Sequence, residues 1–283
     1  VTVGEAVVAA AGRLAEAGWS LADGRRDAAL LARHALGWSV EEWIAGQAAP
    51  LPPDLEARLD AWTGRRARHE PLAYITGTRE FYGRAFAVTP AVLIPRPESE
   101  LLVEEALAWL SSRARNPPVV VDVGTGSGCL AITLALERPD ADVAATDTSA
   151  DALEVARCNA RRLGADRVRF EAASGAGGTP AADLIVANPP YIPLTARGEL
   201  PLEVAAYEPA SALFGGLDGL EGLRLVIDAA QRVLVPGGRL LMEIGHGQAS
   251  EATRLVEAAA PLRLDRIRPD LQGIPRVVIA GRD

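Results

Sequence analysis

Apolar residues recur along the chain in two rhythms, and the change between them falls near residue 72. From Val1 to Leu72 the residues Ala28, Leu30, Leu31, Ala35 and Leu36 return at steps of three and four, which predicts helix. Gly37 is placed to stop that helix, and Pro50, Pro52 and Pro53 interrupt the chain before Leu55, Leu59 and Trp62 resume the period. A helical domain over 1–72 is expected, with these apolar positions as its core, since so small a bundle needs all of them. Residues 73–94 place Tyr74, Ile75, Phe81, Tyr82, Phe86 and Val88 around Gly77 and Gly83, the pattern of a β-hairpin, read here as a linker over 73–96. In Arg96-Pro97-Glu98-Ser99-Glu100 the proline suits a first helical position and the acids suit a first turn; Arg96 is the residue that capping does not need.

From Val119 onward short apolar runs alternate with helical stretches. Strands are expected at 119–123, 143–147, 167–171, 183–187, 239–244, 262–267 and 275–280, and helices at 130–137, 150–163, 219–234 and 248–259. This is the order of an α/β, doubly wound, Rossmann-like sheet, and it fills a domain over 97–283. Ser174-Gly175-Ala176-Gly177-Gly178 reads as a flexible loop, and no internal repeat is present.

Composition narrows the classes. At 283 residues and 49% hydrophobic content the chain can bury a large core, yet no apolar run approaches the roughly 20 residues that span a bilayer, so no membrane partner is expected. The first arginine, Arg13, follows a mixed Ala/Val/Gly stretch unlike an export signal, and the expected location is cytoplasmic. Cys129 and Cys158 make no disulfide framework, and His34, His69 and His246 have no metal-ligand spacing, so no metal is expected. Net charge is −8 and the longest basic cluster is Arg65-Arg66-Ala67-Arg68, read as a solvated helix face; direct nucleic-acid binding is disfavoured.

Candidate chemistry lies where predicted strands end. Asp122-Val123-Gly124-Thr125-Gly126-Ser127-Gly128 closes the first strand and opens a helix, where a doubly wound fold brings backbone close to a nucleotide-like cofactor. A dinucleotide fingerprint needs its third glycine at 129, but Cys129 is there. Asp147 ends the second strand, placed either to accept ribose hydroxyls or to cap the next helix. After strand 183–187 comes Asn188-Pro189-Pro190-Tyr191. The prolines stiffen this backbone and lack N–H donors, so the stretch is either an ordinary Pro-rich loop after a strand or an acceptor fork, in which the Asn188 side-chain oxygen and the Pro189 carbonyl hold a planar –NH2 group against Tyr191 as an aromatic wall. Cys129 at a helix start is read as a small buried thiol. Glu243, at a strand end, is read as structural or as orienting the Asn-Pro-Pro-Tyr loop; Glu208 and Asp218 are assigned to loop folding.

The acid before alternate glycines resembles the motif of S-adenosylmethionine-dependent methyltransferases. The chain as a whole is similar to the protein-glutamine methyltransferases that modify peptide-chain release factors. The carriers are Glu70-Pro71-Leu72-Ala73-Tyr74-Ile75-Thr76-Gly77 with Glu80-Phe81, Leu93 to Glu100, and the Gly124 to Gly128 loop. Asn188 to Ile192, Tyr207-Glu208-Pro209, Gly215 to Leu220, Glu243-Ile244-Gly245 with Gln248, and Asp270 to Gly273 with Arg276-Val277-Val278 complete them. The resemblance implies a class I methyltransferase sheet and S-adenosylmethionine as cofactor, held by Gly124, Thr125, Gly126, Ser127, Gly128, Asp147, Ala173 and Asn188. It also implies catalysis by Asn188, Pro189 and Tyr191, with Pro190 and Arg96 joining them at the substrate. Class I peptide-chain release factors are the implied partner, gripped in part by the helical domain, and a monomer is expected. The chain departs from the family at Glu98, where aspartate is usual, and at Ala172-Ala173, where an acid and a bulky residue usually face adenine. Three other readings stand beside this one: methylation of adenine in nucleic acid, methylation of a ribosomal-protein glutamine, and a catalytically idle binding protein.

Overall fold

The computed structural model of the chain describes residues 1–112 and 117–283, which form two compact units. One comprises Val1–Gly77 with Pro201–Tyr207, and the other Thr78–Leu200 with Glu208–Asp283.

The first unit is helical: α1 (Val3–Glu16), α2 (Leu21–Leu36), α3 (Val40–Gly46), α4 (Pro53–Ala67), α5 (Leu72–Thr76) and, from much later in the chain, α9 (Leu202–Tyr207). Local chemistry sets the ends. Thr2 with Glu5 and Ser39 with Glu42 form reciprocal capping boxes, Pro53 opens α4, and Gly37 ends α2 as its position predicted, in the left-handed conformation. Leu14, Ala28, Leu31, Leu59 and Ile75 form the core. Leu30, expected inside, is 40% exposed, because the apolar stripe of α2 is centred on Ala28, Leu31 and Ala32.

The expected solvated arginine face is corrected here. Arg66 is buried and donates to Asp27 at 2.8 Å, to the Glu70 carbonyl at 2.9 Å and to Glu203 at 2.7 Å, with its guanidinium 3.8 Å from the Trp19 ring centroid. Arg65 forks onto Glu70, through Nε at 2.9 Å and through a terminal nitrogen. Tyr74 and Ile75 are also corrected: they belong to α5, which starts after Pro71 and stops at Gly77 (φ +74°), not to the hairpin. The hairpin is shorter, β1 (Thr78–Phe81) paired antiparallel with β2 (Arg84–Ala87), and belongs to the second unit.

That second unit continues with a 3-10 turn at Pro97–Ser99, α6 (Glu100–Ser111), β3 (Val119–Val123), α7 (Cys129–Glu137), β4 (Asp142–Asp147), α8 (Ala150–Leu163), β5 (Arg169–Ala172) and β6 (Ala182–Ala187). After a 3-10 segment at Leu194–Glu199 come α10 (Ala210–Leu213), α11 (Glu221–Val233), β7 (Leu234–Glu243), α12 (Ala249–Glu257), β8 (Leu262–Pro269) and β9 (Pro275–Arg282). The sheet order is β5-β4-β3-β6-β7-β9-β8, parallel except for β9, which is antiparallel to both neighbours. Every residue of β6 is buried, as expected of a central strand covered on both faces. The chain passes to β4 on one side of β3 and to β6 on the other, so a crevice opens at the carboxyl ends of β3 and β6. The segment read as flexible, 174–178, is pinned: Thr146 donates to the Gly175 carbonyl at 2.6 Å, and the Gly178 N–H donates to the Glu171 carboxylate. Among the described residues no helix is long and apolar enough to cross a membrane.

Asp27→Ala strands the Arg66 charge inside the helical unit, and the expected loss of stability is about 3 kcal/mol, the lower end for breaking a buried pair because Glu203 still faces Arg66. Denaturant unfolding followed by tryptophan fluorescence checks this, since Trp19, Trp38, Trp43 and Trp62 all report on that unit.

Candidate active site

At the crevice lies a cavity of about 210 Å³. One wall is the turn after β3. Gly124, Gly126 and Gly128 all have positive φ (+76°, +54° and +82°), a conformation glycine adopts without strain. The three serve different ends. A Cβ on Gly124 or Gly126 would meet nothing within 4 Å, so these two leave open space beside bare backbone, whereas a Cβ on Gly128 would lie 2.7 Å from Ile132. Gly128 is therefore a packing glycine, and it does not line the cavity.

Asp147, at the end of β4, faces this turn. One carboxylate oxygen accepts the Gly126 N–H at 2.9 Å and the other accepts the Ser149 N–H at 2.9 Å. Ser149 itself caps α8, so Asp147 holds the glycine turn and the helix entrance in register. Below the turn Asp122 accepts from the Thr125 hydroxyl at 2.7 Å and the Ala131 N–H at 3.2 Å, while its Oδ1 is buried without a hydrogen-bond partner. Burial pushes its carboxyl up to about 7. Cys129, expected as a buried thiol, is half-buried and lines the cavity; desolvation still pushes its thiol up to about 12, so it is no thiolate.

The opposite wall is the loop after β6. Asn188, Pro189 and Pro190 line the cavity together with Arg96, Ser99, Thr125, Ser127 and Ala173. Asn188 donates through Nδ2 to Ser99 Oγ at 2.9 Å, and Ser99 donates to Glu243 Oε2 at 2.6 Å. Tyr191 is not among the lining residues. Its ring packs with the core beneath β6 and β7, and its hydroxyl donates to the other Glu243 oxygen at 3.4 Å. Glu243 is buried, which raises its carboxyl to about 7 against the opposing pull of Ser99 and Arg276. Tyr191 is raised as well, by burial first and then by Glu243.

Loop position is set by close backbone contact. A Cβ on Gly222 would lie 2.6 Å from the Pro190 carbonyl oxygen, one on Gly219 at 2.5 Å from that of Tyr191, and one on Gly245 at 2.9 Å from the Tyr191 ring. Gln248 completes the clamp, donating to the Tyr191 carbonyl at 2.9 Å and the Gly219 carbonyl at 3.1 Å while accepting the Gly245 N–H. Arg96 pairs with the buried Glu208, whose second oxygen accepts the Ile94 N–H at 3.0 Å. Glu208 thus fixes the strand of chain that carries Arg96 along the cavity.

Ser99, Gln248 and Gly222 belong to the candidate site through contacts that the sequence pattern did not expose. Ser99 looks like an ordinary helix-start serine, and only its place in the Ile-Pro-Arg-Pro stretch marks it. The residues fit the cofactor the resemblance implies: an open cradle over Gly124 and Gly126, a carboxylate at Asp147 with lone pairs to spare, and no phosphate-neutralising lysine or arginine on the glycine turn.

Both raised carboxyls tie stability to pH. Each favours its protonated form in the folded state, so the folded chain binds more protons than the unfolded one between about pH 4 and pH 7. Their contribution is full below the unfolded pKa and is lost as pH rises through about 7. Unfolding free energy in the second unit should fall by a few kcal/mol across that window, at about 1.4 kcal/mol per pKa unit. Glu243→Gln should flatten its share of the slope in denaturant titrations at pH 5 and pH 8.

Comparison with known proteins agrees with this geometry. Residues 5–77 match the PrmC N-terminal domain model and residues 117–260 a methyltransferase domain model. The release factor glutamine methyltransferase of Bordetella pertussis is 46% identical over 260 residues, covering 89% of this chain and 93% of the relative. That of Cereibacter sphaeroides is 42% identical over 278 residues, covering 98% and 97%. Among solved structures, the T. thermophilus 16S rRNA N2 G1207 methyltransferase in complex with AdoMet and guanosine shares the fold, with a TM-score of 0.52 at 19% identity over 73% of this chain and 50% of that one. The glycine turn, the Asn-Pro-Pro-Tyr loop and full-length similarity converge: this chain belongs to the release factor glutamine methyltransferase family.

Proposed function

We propose that this chain, working in the cytoplasm, methylates the side-chain amide nitrogen of the glutamine in the Gly-Gly-Gln loop of class I peptide-chain release factors, with S-adenosylmethionine as donor. The observation that carries the reading is the state of Asn188. One Nδ2–H is donated to Ser99, which fixes the orientation of the carboxamide and leaves Oδ1 as its acceptor end, and the loop is clamped from behind by Gln248. An acceptor fixed across from a glycine cradle suits an –NH2 group that must be held and turned.

S-adenosylmethionine, when bound, supplies an electrophilic methyl group on a sulfonium. The protein residues do the rest. Gly124 and Gly126 let the cofactor lie against backbone, Asp147 receives ribose hydroxyls beside the two N–H groups it already holds, and Ala173 with Ser174 and Gly175 offers adenine a wall of backbone. An amide nitrogen is a poor nucleophile because its lone pair is shared with the carbonyl. Asn188 Oδ1 and the Pro189 carbonyl accept its two hydrogens, pyramidalise the nitrogen and aim its lone pair at the methyl carbon. The amide nitrogen so held would take up the methyl group that the bound cofactor supplies, and would then give up one N–H proton to solvent. Tyr191 serves by holding Glu243 and the loop from behind. The helical unit is assigned the grip on the protein substrate.

Purified protein incubated with methyl-labelled cofactor and, separately, release factor, ribosomal proteins or nucleic acid tests the reading. Label on the release-factor glutamine supports it; label on nucleic acid or a ribosomal protein instead overturns it. Asp147→Ala should weaken S-adenosylhomocysteine binding by about 1–3 kcal/mol, the scale of charge-assisted hydrogen bonds, as measured by calorimetry, and the wild type should show no response to NAD. Asn188→Ala should leave the fold intact and slow single-turnover methyl transfer by about 100-fold, roughly 3 kcal/mol of lost preorganisation. Asn188→Asp keeps an acceptor but stabilises the charged ground state more than the charge-dispersed transition state, so it should retain cofactor binding at reduced turnover. Wild-type rates in Asn188→Ala would make the loop mere scaffolding.

A further inference from the structure

We propose that Glu243, acting through Ser99, is the positioning residue that fixes which end of the Asn188 carboxamide faces the substrate. The inference rests on the role proposed above for Asn188 and concerns what makes that residue an acceptor.

A carboxamide has two ends of nearly equal size, one donating and one accepting, so shape alone does not choose between them. Hydrogen bonding must. Around Asn188 it runs in one direction: Asn188 Nδ2–H to Ser99 Oγ at 2.9 Å, then Ser99 O–H to Glu243 Oε2 at 2.6 Å, with the Tyr191 hydroxyl donating to Oε1 at 3.4 Å. Ser99 and Glu243 are both buried, so no bulk water offers an alternative partner. The serine hydroxyl owns a single proton. While that proton is committed to Glu243, Oγ presents only lone pairs to Asn188, and only the –NH2 end fits. The flipped amide would set Oδ1 against those lone pairs and turn two N–H donors toward a substrate –NH2.

The state of Glu243 decides how strict this is. An ionised carboxylate only accepts and admits one arrangement. A protonated one can donate to Ser99, freeing the serine proton to turn toward Asn188, and then both amide orientations are satisfied. The charges that face Glu243 are Arg276 on β9, which favours ionisation, and Glu98 ahead of α6, which opposes it. Tyr191 and Ser99 donate to it, and the neutral Cys129 thiol lies near enough to feel its charge. Burial outweighs the favourable contacts and leaves the carboxyl titrating near pH 7, inside the range of an ordinary assay.

The chain has three asparagines, Asn116, Asn159 and Asn188, so selective ¹⁵N-asparagine labelling of the full-length protein gives three side-chain amide pairs, and the pair lost in Asn188→Ala is assigned. Titrated from pH 5.5 to 8.5, the Asn188 pair should shift with a midpoint near pH 7 in the wild type and show no such transition in Ser99→Ala or Glu243→Gln. Single-turnover methylation of a release factor should rise through the same midpoint. Ser99→Ala should be slower by about 10- to 100-fold at pH 8 with that limb gone, and Ser99→Thr, which keeps the hydroxyl, should recover to within about threefold. Affinity for S-adenosylhomocysteine should stay within about twofold throughout, since the relay acts on the amide and not on the cofactor. An Asn188 signal indifferent to pH and to both substitutions, or a Ser99→Ala protein with the wild-type rate and pH profile, overturns the proposal. A wild type that shows the titration but methylates no release factor overturns the proposed function and leaves the relay standing.

Discussion

A carboxyl group taken out of water must be given donors, and the second unit is built to supply them to Glu243. Its two oxygens receive hydroxyl groups from Ser99 and Tyr191, residues 144 and 52 positions away in the chain, and through Ser99 it reaches Asn188. Three segments that meet nowhere in sequence are thereby held at one sheet edge: the 3-10 turn ahead of α6, the end of β7 and the loop after β6. The cost of burying the carboxyl appears as its raised titration, and the same cost makes its contacts directional.

Rigidity in the loop comes from a second source, the close approach of backbone to backbone. Gly219, Gly222 and Gly245 sit where any side chain would strike a loop carbonyl or the Tyr191 ring, and Gln248 spends its whole amide on the same segment. Prolines 189 and 190 remove the remaining freedom in φ. A loop held this way has little freedom to reorganise, which is what electrostatic preorganisation requires. The glycine turn opposite follows a different logic, since at Gly124 and Gly126 the missing side chain faces open space and not a neighbouring part of the protein.

The helical unit is organised around a buried charge as well. Arg66 gathers Asp27, Glu203, the Glu70 carbonyl and the Trp19 face, and in doing so recruits α9 from the far side of the catalytic sequence into the same compact unit. Buried arginine suits this because its planar fork satisfies several acceptors at once.

What the sequence by itself determined was whatever is local or periodic. The alternation of strands and helices from Val119 gave the doubly wound sheet, with strand 119–123 and helix 150–163 at the residues expected, because apolar periodicity and caps act within a few positions. The places of the glycine turn, Asp147 and the Asn-Pro-Pro-Tyr loop at the ends of β3, β4 and β6 were legible for a related reason, since apolar runs and turn formers mark where a strand stops. Tertiary structure decided the rest. Arg66 reads as one more charge on a helix and is buried only because Asp27 and Glu203 come to meet it; Tyr74 and Ile75 have strand-like side chains but lie between Pro71 and Gly77, which close a helical turn. Tyr191 passes for a cavity wall until its hydroxyl is seen to point at Glu243. Ser99, Glu243 and Gln248 stand in motif stretches and Glu243 could be read as orienting the loop, but their partners could not be read, since a hydrogen bond between residues far apart in the chain depends on coordinates that only the packed sheet supplies.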